Sequence, residues 1–181
     1  MSNQGQGVRE RFERVEIVSE CFANYYFASV LAQELRERTD WRIGKLRHSH
    51  KHGRDRIVGD LMKRSSRGTL TIAVIDYEKG VARKFIDYNF ELREVVKGVF
   101  VGRAKRRDDV LVIVFDPRIE DVLICRFSRE LCRNIDALKR IKSERAYSIV
   151  SRVIGKSEVK KIIYELSEAI IAMVLSSNRK C

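Results

Sequence analysis

No apolar run in the sequence approaches the ~20 residues that span a bilayer. The first fourteen residues, MSNQGQGVRERFER, lack the apolar core of a signal peptide. The expectation is therefore a cytoplasmic protein without a membrane partner. The four cysteines, Cys21, Cys125, Cys132 and Cys181, contain no CxxC pair, which removes the usual framework of a structural zinc site. Burial as small hydrophobes is the expected fate of the first three. Neither GxxxxGK[ST] nor GxGxxG occurs, so the sequence has no signature of the glycine-rich phosphate cradles of P-loop and dinucleotide-binding folds. Proline is reduced to Pro117 alone, and acidic residues are in deficit, 25 against 37 Lys and Arg, a formal charge of +12.

Such an excess attracts polyanions, nucleic acid first among them. A thermophile-like surface rich in ion pairs is the competing reading, since one proline and 34% charged residues fit it too. With 44% hydrophobic residues over 181 positions, the chain suffices for one domain with a full core and a helical extension.

Two runs are continuously apolar, Leu70–Ile75 and Val110–Phe115, and both read as buried strands. The first stops at Asp76-Tyr77-Glu78-Lys79-Gly80, the second at Asp116-Pro117 with Glu120 beyond. Val15–Ser19 is a shorter strand ending at Glu20, and Phe22–Arg38 repeats its apolar residues at helical spacing. Trp41, Ile43, Lys45 and Arg47 begin a polar strand, and Arg54–Arg64 a helix. Strand, helix, strand, helix, strand is the order of a mostly parallel sheet with right-handed crossovers. The expected organisation is a loose N-terminus over 1–14, an α/β domain over 15–145 and a C-terminal helical extension over 146–181.

Residues 81–95 stay open. Val81, Phe85, Tyr88, Leu92 and Val95 make a helical face, while Ile86, Tyr88, Phe90 and Leu92 alternate with polar residues as a strand does. The strand reading turns Glu78-Lys79-Gly80 into a hairpin turn and leaves Asp76 without a special role. Residues 119–141 read as helical, split near Ser128. A helix from Ser157 to about Leu175 presents Ile162, Ile163, Leu166, Ile170, Met173 and Val174 as one stripe, to be packed on the domain or on a second copy.

Three strand ends thus carry carboxylates: Glu20, then Asp76 and Glu78, then Asp116 and Glu120. In a parallel sheet such ends converge, and clustered carboxylates are hard ligands suited to Mg²⁺ or Mn²⁺. Basic residues available to grip phosphates are Arg42, Lys45, Arg47, Lys51 and Arg54, with the run Arg103, Lys105, Arg106 and Arg107. The segment RHSHKHGRDR also alternates His48, His50 and His52, which leaves three readings: phosphate contact, transition-metal binding or a solvated loop. A Cys21–His nucleophile is a further alternative with no specific signal behind it.

The order VEIVSEC, then IAVIDYEKG, then FDPRIEDVLI resembles the Toprim domain of topoisomerases, bacterial-type primases and the nucleases of the overcoming-lysogenisation-defect type. In that family a Glu closes the first strand and a D-x-D pair closes a later one, after an intervening helix-strand-helix. The resemblance covers about Val15–Ile124 and implies a Toprim-like (Rossmann-like) sheet flanked by helices. It further implies nuclease-like phosphodiester processing of DNA or RNA, with Glu20 as general acid/base and Asp76 and Glu78 as metal ligands, joined by Glu120 through the P-x-I-E segment. The chain departs from the family at Cys21, where Gly is usual, and at Glu78, where Asp is usual. A non-catalytic nucleic-acid-binding module and an assembly protein using the C-terminal helix are the alternative functions.

Overall fold

The computed structural model describes residues 12–44, 46–48, 53–63, 67–133 and 150–177. The strands are β1 (Arg14–Ser19), β2 (Arg42–Ile43), β3 (Arg47–His48), β4 (Thr69–Asp76), β5 (Phe90–Val96), β6 (Val99–Ala104) and β7 (Val110–Phe115). The helices include α1 (Phe22–Arg38), α2 (Gly53–Leu61), α3 (Val81–Asn89), α4 (Arg129–Arg133) and α5 (Ser157–Ser177), with a π-helical segment at Glu120–Cys125.

The sheet runs β2-β1-β4-β7-β6-β5, with β3 also on β1. β1, β2, β3, β4 and β7 are parallel, and the β5–β6 hairpin adds an antiparallel edge. Both faces of the central strands are covered, which is why β4 and β7 are apolar without alternation. On one face α1, α5 and the π-helical segment pack over Val15, Ile17, Leu70, Ile72 and Phe115. On the other, α2 and α3 cover Ala73, Ile75, Val112 and Val114. The sheet is therefore doubly wound.

α1 begins where the Cys21 thiol accepts from the Asn24 N–H at 3.5 Å and ends where the Thr39 N–H reaches back to the Leu35 carbonyl. Phe27, Leu31 and Leu35 recur at four-residue spacing and are fully buried, Phe27 meeting Phe115 edge-on at 5.0 Å. The stripe of α5 lies against α1 and the β5–β6 hairpin, so this chain's own core takes up the face left open between domain and partner. Among the described residues no helix is long and apolar enough to cross a membrane.

Three expectations need correction. The end of the stretch expected to be loose, 1–14, is part of the fold: β1 starts at Arg14 and Phe12 is buried in the core, and residues 1–11 lie outside the described residues. Residues 81–95 are both things in turn, a helix to Asn89 and a strand from Phe90, so the hairpin turn falls at Lys97-Gly98 and not at 78–80. Cys125 and Cys132 are not buried singly but joined in a disulfide, because the chain breaks at Ser128 and brings their Cα atoms to 4.5 Å.

Candidate functional site

The strand order reverses between β1 and β4. From β1 the chain crosses to β2 and β3 on one side; from β4 it proceeds through α3 and the hairpin to β7 on the other. Where connections diverge in this way, a crevice opens at the carboxyl ends of the strands. Glu20 follows β1 directly, Asp76 is the last residue of β4, and Asp116 to Glu120 follow β7.

Hydrogen bonds join these three exits. The Asp76 N–H donates to Glu20 Oε2 at 3.2 Å, and the Ile119 N–H donates to Asp76 Oδ1 at 2.9 Å. Beneath them the Asp116 N–H donates to the Gly98 carbonyl at 2.9 Å. Gly98 has φ 79°, and a Cβ there would stand 3.1 Å from the Val122 side chain and 3.3 Å from the Asp116 carbonyl oxygen. Glycine is thus what lets the hairpin turn lie under the loop that delivers Glu120.

Asp76 is 8% exposed, and its carboxyl is pushed up from 3.8 to about 8. Burial is the largest cause, followed by the charges of Glu120 and Glu20. The Ile119 N–H and the Asn24 side-chain amide act in the opposite direction. That amide is fully buried and makes no hydrogen bond of ordinary length, yet it faces Asp76 closely enough to favour its anion. The Cys21 thiol is pushed far above its usual range by burial first and by Asp76 next. A protonated thiol beside carboxylates has no thiolate to offer as a nucleophile. Of the three histidines proposed as its partner, His48 ends β3, and His50 and His52 lie outside the described residues.

Glu78 has a cationic neighbour at the edge of this group. Its carboxylate is 3.5 Å from Arg118 Nε, and Arg118 also forks onto Asp121 at 2.7 and 3.1 Å. Across the rim, Arg83 lies 4.1 Å over the Tyr77 ring, donates to the Tyr77 carbonyl at 3.1 Å and reaches Asp116 at 3.5 Å. Neither arginine stood out in the sequence. The signal was there: each falls within three residues of a strand-end carboxylate or its glycine.

The residues expected to grip phosphate divide differently. Lys45 and Lys51 lie outside the described residues, and Arg54 is in α2. Arg47 pairs with Glu16 at 3.3 Å, and Arg42 is exposed at the opposite end of the sheet from Asp76. In the run after β6, Arg103 reaches Ser176 on α5, Lys105 caps the Asp87 and Tyr88 carbonyls at the end of α3, and Arg107 clamps Asp109 and the Met62 carbonyl. Only Arg106 of that run is exposed without such a bond. Three of the run's four charges are thus engaged by groups of the fold itself.

Among the described residues, no three His, Cys, Asp or Glu side chains are arranged to hold a metal ion. Glu20, Asp76 and Glu120 match a hard cation in donor chemistry, with one oxygen each of Glu20 and Asp76 accepting a backbone N–H instead. Comparison with protein-family models, curated proteins and solved structures finds no match to this chain.

Proposed function

We propose that this chain is a Toprim-like, metal-dependent enzyme that processes nucleic-acid phosphodiesters, and that its site is the crevice holding Glu20, Asp76 and Glu120. The observation that carries the reading is the meeting of three strand-end acids at the switch point, with Asp76 held to about 8 by burial and by the other two. Repulsion of that kind is relieved by a cation, and an all-oxygen donor set favours Mg²⁺ or Mn²⁺. Glu20, Asp76 and Glu120 would hold it, and the ion would supply charge neutralisation and polarisation of a phosphodiester oxygen or water.

The chain's own groups supply the rest. Glu20, at the mouth of the crevice, is the general acid/base in the resemblance. Arg83 and Arg118 at the rim present positive charge to an approaching phosphate, each already oriented by its acidic neighbours. Glu78, 3.5 Å from Arg118 Nε, helps to orient that arginine.

The test is incubation of plasmid DNA and of structured and unstructured RNA with the purified chain in Mg²⁺, Mn²⁺ or EDTA. Cleavage or religation is expected with the divalent ions only, and Asp76→Asn and Glu20→Gln are expected to abolish it. Intact substrates under every condition would remove the proposal.

A further inference from the structure

A second concave site lies at the other end of the same strands. Glu13, Arg14, Arg42, Gly44, Arg67, Gly68 and Thr69 enclose a cleft of about 500 Å³ at the amino ends of β1, β2 and β4. Three guanidinium groups face one carboxylate there, Glu13. β1 is six residues long, so at ~3.3 Å per residue the cleft stands roughly 20 Å from Glu20.

The arrangement is costly to the fold on its own. Arg14 and Arg42 are lateral neighbours in register on adjacent parallel strands, so their side chains leave the same face of the sheet. Like charges placed side by side on neighbouring strands repel. Arg14 finds partial relief in Glu16 at 3.1 Å, and Glu16 also serves Arg47. Neither Arg42 nor Arg67 has a carboxylate partner among the described residues.

The walls are preformed. The Glu13 and Arg14 N–H groups both donate to the Gly68 carbonyl, the Arg42 N–H to the Glu13 carbonyl and the Gly44 N–H to the Val15 carbonyl. Gly44 makes room as well: a Cβ at that position would stand 3.0 Å from Arg14 Nε, so glycine lets the guanidinium lie along the backbone. At Gly68 a Cβ would meet nothing within 4 Å, which marks the open side of the cleft.

From this geometry we infer that the cleft binds a phosphate-bearing anion of nucleotide size, held by Arg14, Arg42 and Arg67. The volume falls within the ~300–1,000 Å³ of small-ligand sites, the lining is polar, and the guanidinium fork matches phosphate oxygens. A free nucleotide and the phosphorylated end of a nucleic-acid strand present the same group. The inference is independent of the acidic crevice, because the two sites share no residue.

Calorimetric titration of the full chain at physiological salt separates the sources, with pyrophosphate, a nucleoside diphosphate and a 5′-phosphorylated single-stranded octanucleotide as probes. Wild type is expected to bind at least one of them, and Arg42→Gln or Arg67→Gln to weaken that binding about tenfold each, as loss of a charge-assisted contact does. Arg106→Gln, an exposed charge elsewhere, is expected to leave it unchanged. Weakened binding of the two small probes identifies the free anion, and weakened binding of the octanucleotide alone identifies the strand end. Thermal melts establish that the variants are folded, and Arg67→Lys, which keeps the charge but not the fork, serves as a milder variant expected to weaken binding by an intermediate factor. The inference is overturned if no probe binds, if Arg42→Gln and Arg67→Gln bind as wild type does, or if Arg106→Gln weakens binding as much as they do.

Discussion

Replacing Asp76 by Asn should stabilise the protein at neutral and alkaline pH while removing the proposed activity. The folded-state carboxyl titrates near 8, whereas the unfolded chain releases that proton near the ordinary 3.8. Between those values the folded form holds a proton that the unfolded form has lost, so stability falls as pH rises. The slope approaches ~1.4 kcal/mol per pH unit for one group. Integrated from 3.8 to pH 7, the ceiling is about 4 kcal/mol, and relaxation around the buried carboxyl lowers it to roughly 2–4 kcal/mol. Below pH 4 the group contributes no penalty, and above pH 8 the penalty is complete. Asp76→Asn keeps an acceptor for the Ile119 N–H, keeps the shape and discards the charge. For a chain of this length, ~2–4 °C in Tm per kcal/mol predicts a gain of roughly 4–16 °C at pH 7. The assay is a set of thermal or urea melts of both proteins in EDTA from pH 4 to 9. The two curves should converge at the acid end and diverge steadily above pH 5. A difference that stays constant with pH, or a variant less stable at pH 8, would refute the argument that burial and neighbouring acids strain Asp76.

Three further outcomes follow from the packing. Leu166→Ala, in the buried stripe of α5, should cost about 2–5 kcal/mol in urea melts, and truncation before Ser157 should leave an aggregating chain because the covered face of α1 is laid open. A truncated chain that stays monomeric and melts as before would show that α5 is not part of the core. Reducing the Cys125–Cys132 disulfide closes no long loop, so dithiothreitol should lower stability by only about 2–3 kcal/mol, read as a Tm shift that Cys125→Ser with Cys132→Ser reproduces. Gly98→Ala should cost roughly 1–3 kcal/mol, since it adds a Cβ at positive φ against Val122, and far-ultraviolet circular dichroism should remain native.

What could be read from the sequence was whatever depends on one period or one abrupt stop. β4 and β7 are unbroken apolar runs because both their faces are covered, and their carboxylates follow at once, so the meeting of Glu20, Asp76 and Glu120 was foreseeable from order alone. Residues 81–95 were not resolvable, because Phe85 to Val95 satisfies a helical and an alternating pattern together. What decides the split at Phe90 is tertiary: Ala82 and Ile86 have a core to face, and Phe90 pairs with Ala104. Phe12 and the disulfide escaped for a related reason, since each depends on a chain direction set at a single residue. The pairing of Glu78 with Arg118 was invisible, because nothing in a D-x-E spacing says that an arginine forty residues on will lie beside the second acid.

The sheet has two chemical ends, and this limits how the charge of +12 can be used. β1 and β4 begin beside Arg14, Arg42 and Arg67 and end at Glu20 and Asp76, so a phosphate gripped at the amino edge stands about 20 Å from the acids. On the proposed function, charge at the basic end would raise the local concentration of a polyanion without placing any bond in the crevice. Among the described residues, the cations beside the acids that would orient the proposed substrate's phosphate are Arg83 and Arg118, and both are already engaged, by Asp116 in one case and by Asp121 and Glu78 in the other. Substrate must displace or share those partners. Neutralising them selectively should then separate the two uses of charge. Arg83→Gln should reduce turnover with nucleic-acid affinity little changed, whereas Arg42→Gln should reduce affinity for a long strand with turnover at saturation intact. If both variants lower affinity and turnover in the same proportion, the two ends act as one continuous surface and the separation drawn from the sheet is wrong.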